Sequence, residues 1–207
     1  MRALATFLSL FLTTTVASAQ TSPLAPSVAV DGRSQAEWSQ LWWQWAASFD
    51  RSMSPVADKT GELCHLEQDG PVWFLAGTYG TRRTIRTCDV PRGKYLFFPL
   101  INYVVYPAED GEPHCEHVRT KAARMTDDVS SLVLEIDGVR ATNLAVHRQA
   151  PAECFDLNER SGGGVYPTAA NGYYVMLAPM KPGTHTLNFG GVLPGMSQAV
   201  TYTIRVR

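Results

Sequence analysis

The residue types best suited to metal chemistry crowd into nine positions of this sequence. Residues 109–117 hold four carboxylic acids and two histidines, namely Glu109, Asp110, Glu112, His114, Glu116 and His117. Imidazole together with carboxylate suits zinc, copper or manganese, whereas a carboxylate-rich loop alone suits calcium. The pattern predicts one possible divalent-metal site at His114, Glu116 and His117. A solvated acidic loop beside Cys115 accounts for the same residues equally well.

More distant histidines could complete such a site, and the candidates are His65, His147 and His185. The sequence contains neither an H-E-x-x-H motif nor an EF-hand loop, so the spacing by itself indicates no particular metal. A secreted metal-dependent enzyme is therefore kept as an alternative function.

Nucleophilic catalysis finds little support in the sequence. The segment 195–199 (Gly-Met-Ser-Gln-Ala) resembles a G-x-S-x-G motif without matching it, and a strand pattern follows Ser197 where a helix is needed. An even number of cysteines leaves no thiol for catalysis if all of them pair. No catalytic residue is assigned from the sequence.

Several aromatic residues fall outside the hydrophobic patterns and are candidates for ligand binding. The residues chosen for this role are Trp43, Tyr79, Arg82 and Tyr106. Aromatic rings stack on the C–H faces of sugars, while polar neighbours bond the hydroxyl groups. The segment 79–83 (Tyr-Gly-Thr-Arg-Arg) is the clearest polar-aromatic loop, although a plain surface loop explains it as well. Less constrained rings also include Tyr103, Tyr166 and Tyr173.

The four cysteines are Cys64, Cys88, Cys115 and Cys154. An even count in an exported chain is typical of disulfides, and three pairings are possible. Sequential pairing, Cys64 with Cys88 and Cys115 with Cys154, closes the shortest loops and is favoured. A Cys/His metal site is the competing interpretation, but C-x-x-C spacing is absent.

The first 19 residues have the pattern of a cleavable signal peptide. Arg2 precedes an apolar run at residues 4–12, and residues 17–19 (Ala-Ser-Ala) form the cleavage signal. The predicted mature chain, residues 20–207, is one domain exported to the periplasm or the medium. Loss of Arg2 leaves 17 of the 18 basic residues against 19 acidic ones, a balance that favours neither nucleic acid nor anionic lipid as a partner.

The elements that must position these residues begin with a helix at residues 35–49. Ser34 and Glu37 form a capping box at its start, and five apolar residues follow at helical spacing: Trp38, Leu41, Trp42, Trp45 and Phe49. This stripe predicts a helix packed on a sheet, with Trp43 off the stripe. A second, short helix is expected at residues 116–128.

The rest of the chain has the alternation and turn signals of short strands. Asp137-Gly138 predicts a hairpin after residues 132–136, residues 173–177 and 184–189 predict another, and residues 200–206 alternate as a half-buried final strand. Pro99 divides residues 94–105 into two strands or one bent edge strand. The fold expected is all-β, an Ig-like or jelly-roll sandwich with an N-terminal amphipathic helix and two disulfides.

Four stretches give the chain a resemblance to a group of exported bacterial proteins. They are the Trp-rich helix 38–45, the strand 70–77 (GPVWFLAG), the segment 88–94 (CDVPRGK), and the end piece running from residues 171–177 (NGYYVML) to 182–186 (PGTHT). The resemblance implies bacterial origin and export. It implies no catalytic residue, because none is assigned in that group.

The function expected from these observations is an exported, non-catalytic protein that binds a ligand or an envelope partner, with glycan as the first choice. The first alternative is the metal-dependent enzyme using His114 and His117. The second is an assembly subunit whose final strand, residues 200–206, pairs through an exposed edge with a neighbouring chain.

Overall fold

A computed structural model describes residues 21–79, 83–107 and 114–207 of the 207-residue chain. Its two α-helices are α1 (Gln35–Ala47) and α2 (Cys115–Asp127). Its strands are β1 (Val72–Phe74), β2 (Thr84–Val90), β3 (Tyr95–Val105), β4 (Ser131–Ile136), β5 (Val139–Arg140), β6 (Arg148–Gln149), β7 (Ala169–Leu177), β8 (Gly183–Leu193) and β9 (Met196–Val206). The predicted signal peptide lies outside the described residues.

The strands form two sheets. The first sheet has the order β1-β3-β7-β6 and the second has the order β2-β9-β8-β4-β5. Most neighbours are antiparallel, but β1 runs parallel to β3 and β2 runs parallel to β9. A parallel pair cannot be closed by a tight turn, and the pairing of β2 with β9 joins distant parts of the chain.

The hydrophobic core lies between the two sheets. In β9 every second residue is buried, including Val200, Tyr202 and Ile204, as the alternation predicts. The ring of Phe98 on the first sheet lies 4.5 Å from that of Phe189 on the second, centroid to centroid. The chain is therefore the two-sheet β-sandwich that the strand pattern predicts.

Helix α1 covers the outer face of the first sheet and adds a third layer. Its capping box is present, with Ser34 accepting from the Glu37 amide and the Glu37 carboxylate accepting from the Ser34 amide. Trp38, Trp42 and Trp45 are buried with aromatic residues of β1, β3 and β7. The helix ends at Ala47, two residues before the predicted end at Phe49. As both faces of β7 are covered, all nine of its residues are buried.

Both predicted disulfides are confirmed, Cys64–Cys88 and Cys115–Cys154. The first ties the segment after α1 to β2, and the second ties the first turn of α2 to the segment that follows β6. Disulfides form and persist in oxidising compartments, which is the environment that this fold indicates.

Strand β3 decides between the two alternatives that the sequence leaves open for residues 94–105. It is a single strand with an irregularity at Pro99: residues 95–97 lie between β1 and β7, whereas from Pro99 onward β7 is the only neighbour among the described strands. Pro99 is accommodated because the register with β7 shifts between Pro99 and Ile101 and because β1 pairs only with residues 95–97. Proline therefore sits at an irregularity where no neighbour requires its missing N–H.

Two expectations about strands are wrong. The sequence predicts a hairpin of β7 and β8, but these strands belong to different sheets, and β8 instead turns into β9 at residues 194–195. The final strand was expected to have an exposed edge, yet β9 lies between β2 and β8 and is paired on both sides. Strand patterns reveal burial, but they do not reveal which strand is the neighbour.

Each of the two described α-helices has 13 residues. Within the described ranges, neither combines the length and the apolar character needed to cross a membrane.

Candidate ligand-binding groove

An open groove lies where the C-terminal end of β3 meets both helices. Its volume is about 330 Å³. It is lined by residues of α1, β3, α2 and β9: Trp43, Asn102, Tyr103, Val104, Val105, Tyr106, Lys121 and Met196. Three aromatic rings thus share a cavity with one amide and one ammonium group. Two of the four residues predicted to bind ligand, Trp43 and Tyr106, meet here.

Trp43 is held firmly although it lies off the apolar stripe of α1. Its ring packs edge-on against Trp42, with centroids 5.1 Å apart. Its Nε1–H donates to the hydroxyl of Tyr174 at 2.8 Å. Burial raises the pKa of Tyr174, so this phenol stays neutral and keeps its hydrogen bonds. A fixed indole loses little conformational entropy when a ligand stacks on it.

Asn102 reaches the same hydroxyl from β3. Its Nδ2 donates to Tyr174 Oη at 3.1 Å, and no described residue bonds its Oδ1. Gly172 lies opposite on β7, where a Cβ atom would come within 2.5 Å of the Asn102 Cβ. Only glycine fits this close approach of β7 to Asn102.

Tyr106 and Lys121 form the outer part of the groove. Tyr106 follows the last residue of β3 and is 54 % exposed. Lys121 is exposed on α2 and supplies the only charged side chain among the described residues that line the groove. The groove therefore combines apolar ring faces with hydrogen-bonding groups and a positive charge. This combination suits a polar ligand that also presents C–H surfaces.

The other two residues predicted to bind ligand do not join this groove. Tyr79 is 61 % exposed after β1 and does not line the cavity. Arg82 lies outside the described residues. Of the additional aromatic candidates, Tyr103 lines the groove, whereas Tyr173 is buried in the core.

The residues predicted to bind metal lie together on α2. His114 is the N-cap residue of the helix, and His114, Glu116 and His117 line a second, larger cavity beside the groove. Among residues 21–79, 83–107 and 114–207, no group of three histidine, cysteine, aspartate or glutamate side chains could hold a metal ion. Glu109, Asp110 and Glu112 lie outside these ranges.

The distant histidines do not line the α2 cavity. His185 lines another cavity of about 560 Å³ with Asp137 and Lys181. Its Nδ1 lies 2.7 Å from Asp137 Oδ2, and its Nε2 lies 2.8 Å from the Lys181 carbonyl oxygen. Both nitrogens donate, because neither acceptor carries a hydrogen, so His185 cannot act as a base in this arrangement.

The exposed face of the second sheet carries a polar ladder. Arg83 donates to Thr201, Thr201 donates to Asn188, and Asn188 donates to Glu135. Glu135 points away from the core, as its place between Leu134 and Ile136 predicts. These side chains already bond one another, so fewer of their donors and acceptors remain for a ligand than in the groove.

Sequence reasoning missed Asn102, Lys121 and Met196 as members of the groove. Each stands on a different element, and the residues come together only because β3, α2 and β9 meet at one corner. The local signal for Trp43 and Tyr106 was their departure from the hydrophobic pattern. No such signal marks the other three.

Comparison of the chain with models of known families, with curated proteins and with solved structures finds no match. Function is therefore inferred from the chemistry of the groove.

Proposed function

We propose that this protein is an exported, non-catalytic bacterial protein that binds carbohydrate in the groove between α1, β3 and α2. The observation that carries this proposal is the convergence of Trp43, Tyr103 and Tyr106 with Asn102 and Lys121 in one cavity. Aromatic rings stack on sugar C–H faces, and the amide and ammonium groups bond hydroxyl oxygens.

The size and the openness of the cavity to solvent agree with this ligand class. A volume of about 330 Å³ lies at the lower end of ligand pockets, which span roughly 300–1,000 Å³. One or two sugar rings of a longer chain would fill it, while the rest of the chain lies along the surface. Binding of a segment within a polymer needs such an open groove.

Export to the periplasm or the medium fits the same proposal. Two disulfides stabilise the domain in an oxidising compartment, and the signal pattern at residues 1–19 provides the route. Polysaccharides of the envelope and of the surroundings are found in these compartments.

The first test is Tyr106→Ala, since Tyr106 is largely exposed and its loss should not disturb folding. We expect glycan affinity, measured by calorimetry on ligands found with a glycan array, to fall about tenfold.

Trp43→Phe should weaken binding too, because it removes the indole and its hydrogen bond to Tyr174. Thermal denaturation of each variant separates loss of binding from loss of fold.

Tyr166→Ala is the matched control, because Tyr166 is 63 % exposed and lies outside the groove. It should leave the affinity unchanged. Binding that survives both Tyr106→Ala and Trp43→Phe would show that the groove is not the binding surface.

A further inference from the structure

One exposed face of α2 carries a stripe of basic residues. His117, Lys121 and Arg124 follow one another at positions i, i+4 and i+7 and are all exposed. Residues at these spacings share a helix face. Together with His114, Glu116 and Thr120 they line a cavity of about 670 Å³. Among the described residues that line it, only Glu116 is acidic.

In the described part of the chain, Lys121 and Arg124 make neither an ion pair nor a hydrogen bond through their side chains. Other arginines are paired, as Arg148 is with Asp127 and Arg160 is with Glu67. Asp127, the last residue of α2, thus pairs with Arg148.

Lys121 joins this stripe to the candidate groove. It lines the cavity on α2 and also the groove that contains Trp43 and Tyr106. A single ligand chain can therefore place a sugar ring on the aromatic residues and place an acidic group of the same or the next residue against Lys121 and Arg124.

We infer that the ligand is an acidic glycan, whose carboxylate or sulfate groups are bound by Lys121 and Arg124 while a sugar ring stacks in the groove. This inference rests on the proposed carbohydrate-binding function and specifies its ligand class. Arginine presents paired N–H donors that match a carboxylate or sulfate, and lysine adds a point charge. The predicted mature chain has a small net negative charge, so binding of polyanions must come from this local stripe.

The test compares two hexasaccharides of equal length, one of galacturonic acid and one of neutral β-linked glucose, by calorimetry on the full mature protein. We expect the uronate to bind more tightly, and its advantage to shrink as ionic strength rises above about 0.15 M. Lys121→Gln and Arg124→Gln should each weaken uronate binding about tenfold. Neither should change the affinity for the neutral glycan by as much.

Arg119→Gln is the matched control, since Arg119 is exposed on the same helix but does not line the cavity. It removes an equal charge and should change uronate affinity by less than about twofold, as expected for an exposed charge without a partner.

Three results would overturn the inference. Equal affinity for the two hexasaccharides, with Lys121→Gln unchanged, would reject an acidic ligand while the carbohydrate proposal stands. An equal loss of uronate affinity in Arg119→Gln and Lys121→Gln would indicate general electrostatic attraction to the whole helix and no specific contact with the stripe. If a glycan array and both hexasaccharides show no binding, the proposed function fails and the acidic ligand fails with it.

Discussion

Arg86 shows how strongly one side chain can organise this fold. It is 1 % exposed and points from β2 into the molecule. Its guanidinium donates to the hydroxyl of Tyr202 and to four backbone carbonyl groups, those of Val56, Asp58, Ala76 and Gly77. No carboxylate among the described residues accepts a hydrogen bond from it. Backbone carbonyl groups thus take the place of water around the buried cation. The same hydrogen bonds hold the segments before and after β1 against β2.

Arg86→Lys should therefore destabilise the protein although charge is conserved. An ammonium group has three donors and cannot reach all five acceptors, so buried carbonyl groups lose their partners. We expect a loss of about 3 kcal/mol in the free energy of unfolding, measured with urea.

Arg205→Lys, on the exposed face of β9, is the control and should have almost no effect. A change in Arg86→Lys within about 0.5 kcal/mol, the range of ordinary surface substitutions, would show that the guanidinium network is not essential.

At the level of elements, the contact between β9 and β3 explains why a proline is tolerated inside a sheet. Gln198 of β9 donates through Nε2 to the carbonyl oxygens of Pro99 and Leu100, at 2.8 and 3.0 Å. Its Oε1 accepts from the amide of Thr78 at 3.1 Å. One glutamine side chain thus bonds two carbonyl groups at the irregularity in β3, where β1 no longer provides a neighbour, and one amide group in the segment that follows β1.

Gln198→Leu keeps the volume of this side chain but removes all three hydrogen bonds. We expect the free energy of unfolding to fall by about 3 kcal/mol, because buried backbone groups are left unsatisfied. Gln40→Leu is the comparison variant, since Gln40 is half-buried on α1 and makes no side-chain hydrogen bond with the described residues. Equal stability of the two variants would contradict this role of Gln198.

Across the whole molecule, two histidines make stability depend on pH in opposite ways. Burial lowers the pKa of His185, but the hydrogen bond to Asp137 and the Lys181 carbonyl outweigh it and raise the pKa above its ordinary value of 6.5. Burial lowers the pKa of His147, whose Nδ1 has no hydrogen-bond partner among the described residues. His185 is stabilised as the cation and His147 as the neutral form.

The stability that His185 contributes is complete below pH 6.5 and is lost as pH rises through its raised pKa. The stability that depends on neutral His147 is complete above pH 6.5 and is lost as pH falls through its lowered pKa. We therefore expect the free energy of unfolding to be greatest near pH 6.5, in urea titrations across the range. His185→Gln should flatten the alkaline side of the curve and His147→Gln the acid side.

If His185→Gln leaves the alkaline side unchanged, the pair with Asp137 does not set the pH dependence there. The stability of His147→Gln below pH 6.5 is an independent check, because the two variants affect opposite sides of the stability maximum.

The sequence by itself determined the local features of this protein. The capping box and the spacing of three tryptophans predict α1, Asp137-Gly138 predicts the β4–β5 turn, and the even cysteine count with loop lengths predicts both disulfides. The helix and the turn depend on residues that are close together in the chain. The disulfides depend on a choice among only three pairings of four cysteines.

Only the tertiary structure decided which strands are neighbours and which residues form the groove. Alternation shows that β9 buries one face, but its parallel partner β2 stands more than a hundred residues earlier, and no local pattern identifies it. Asn102 and Lys121 meet Trp43 because β3 and α2 pack at one corner. Strand pairing and side-chain convergence depend on the packing of the whole chain, and hydrophobic periodicity carries no information about that packing.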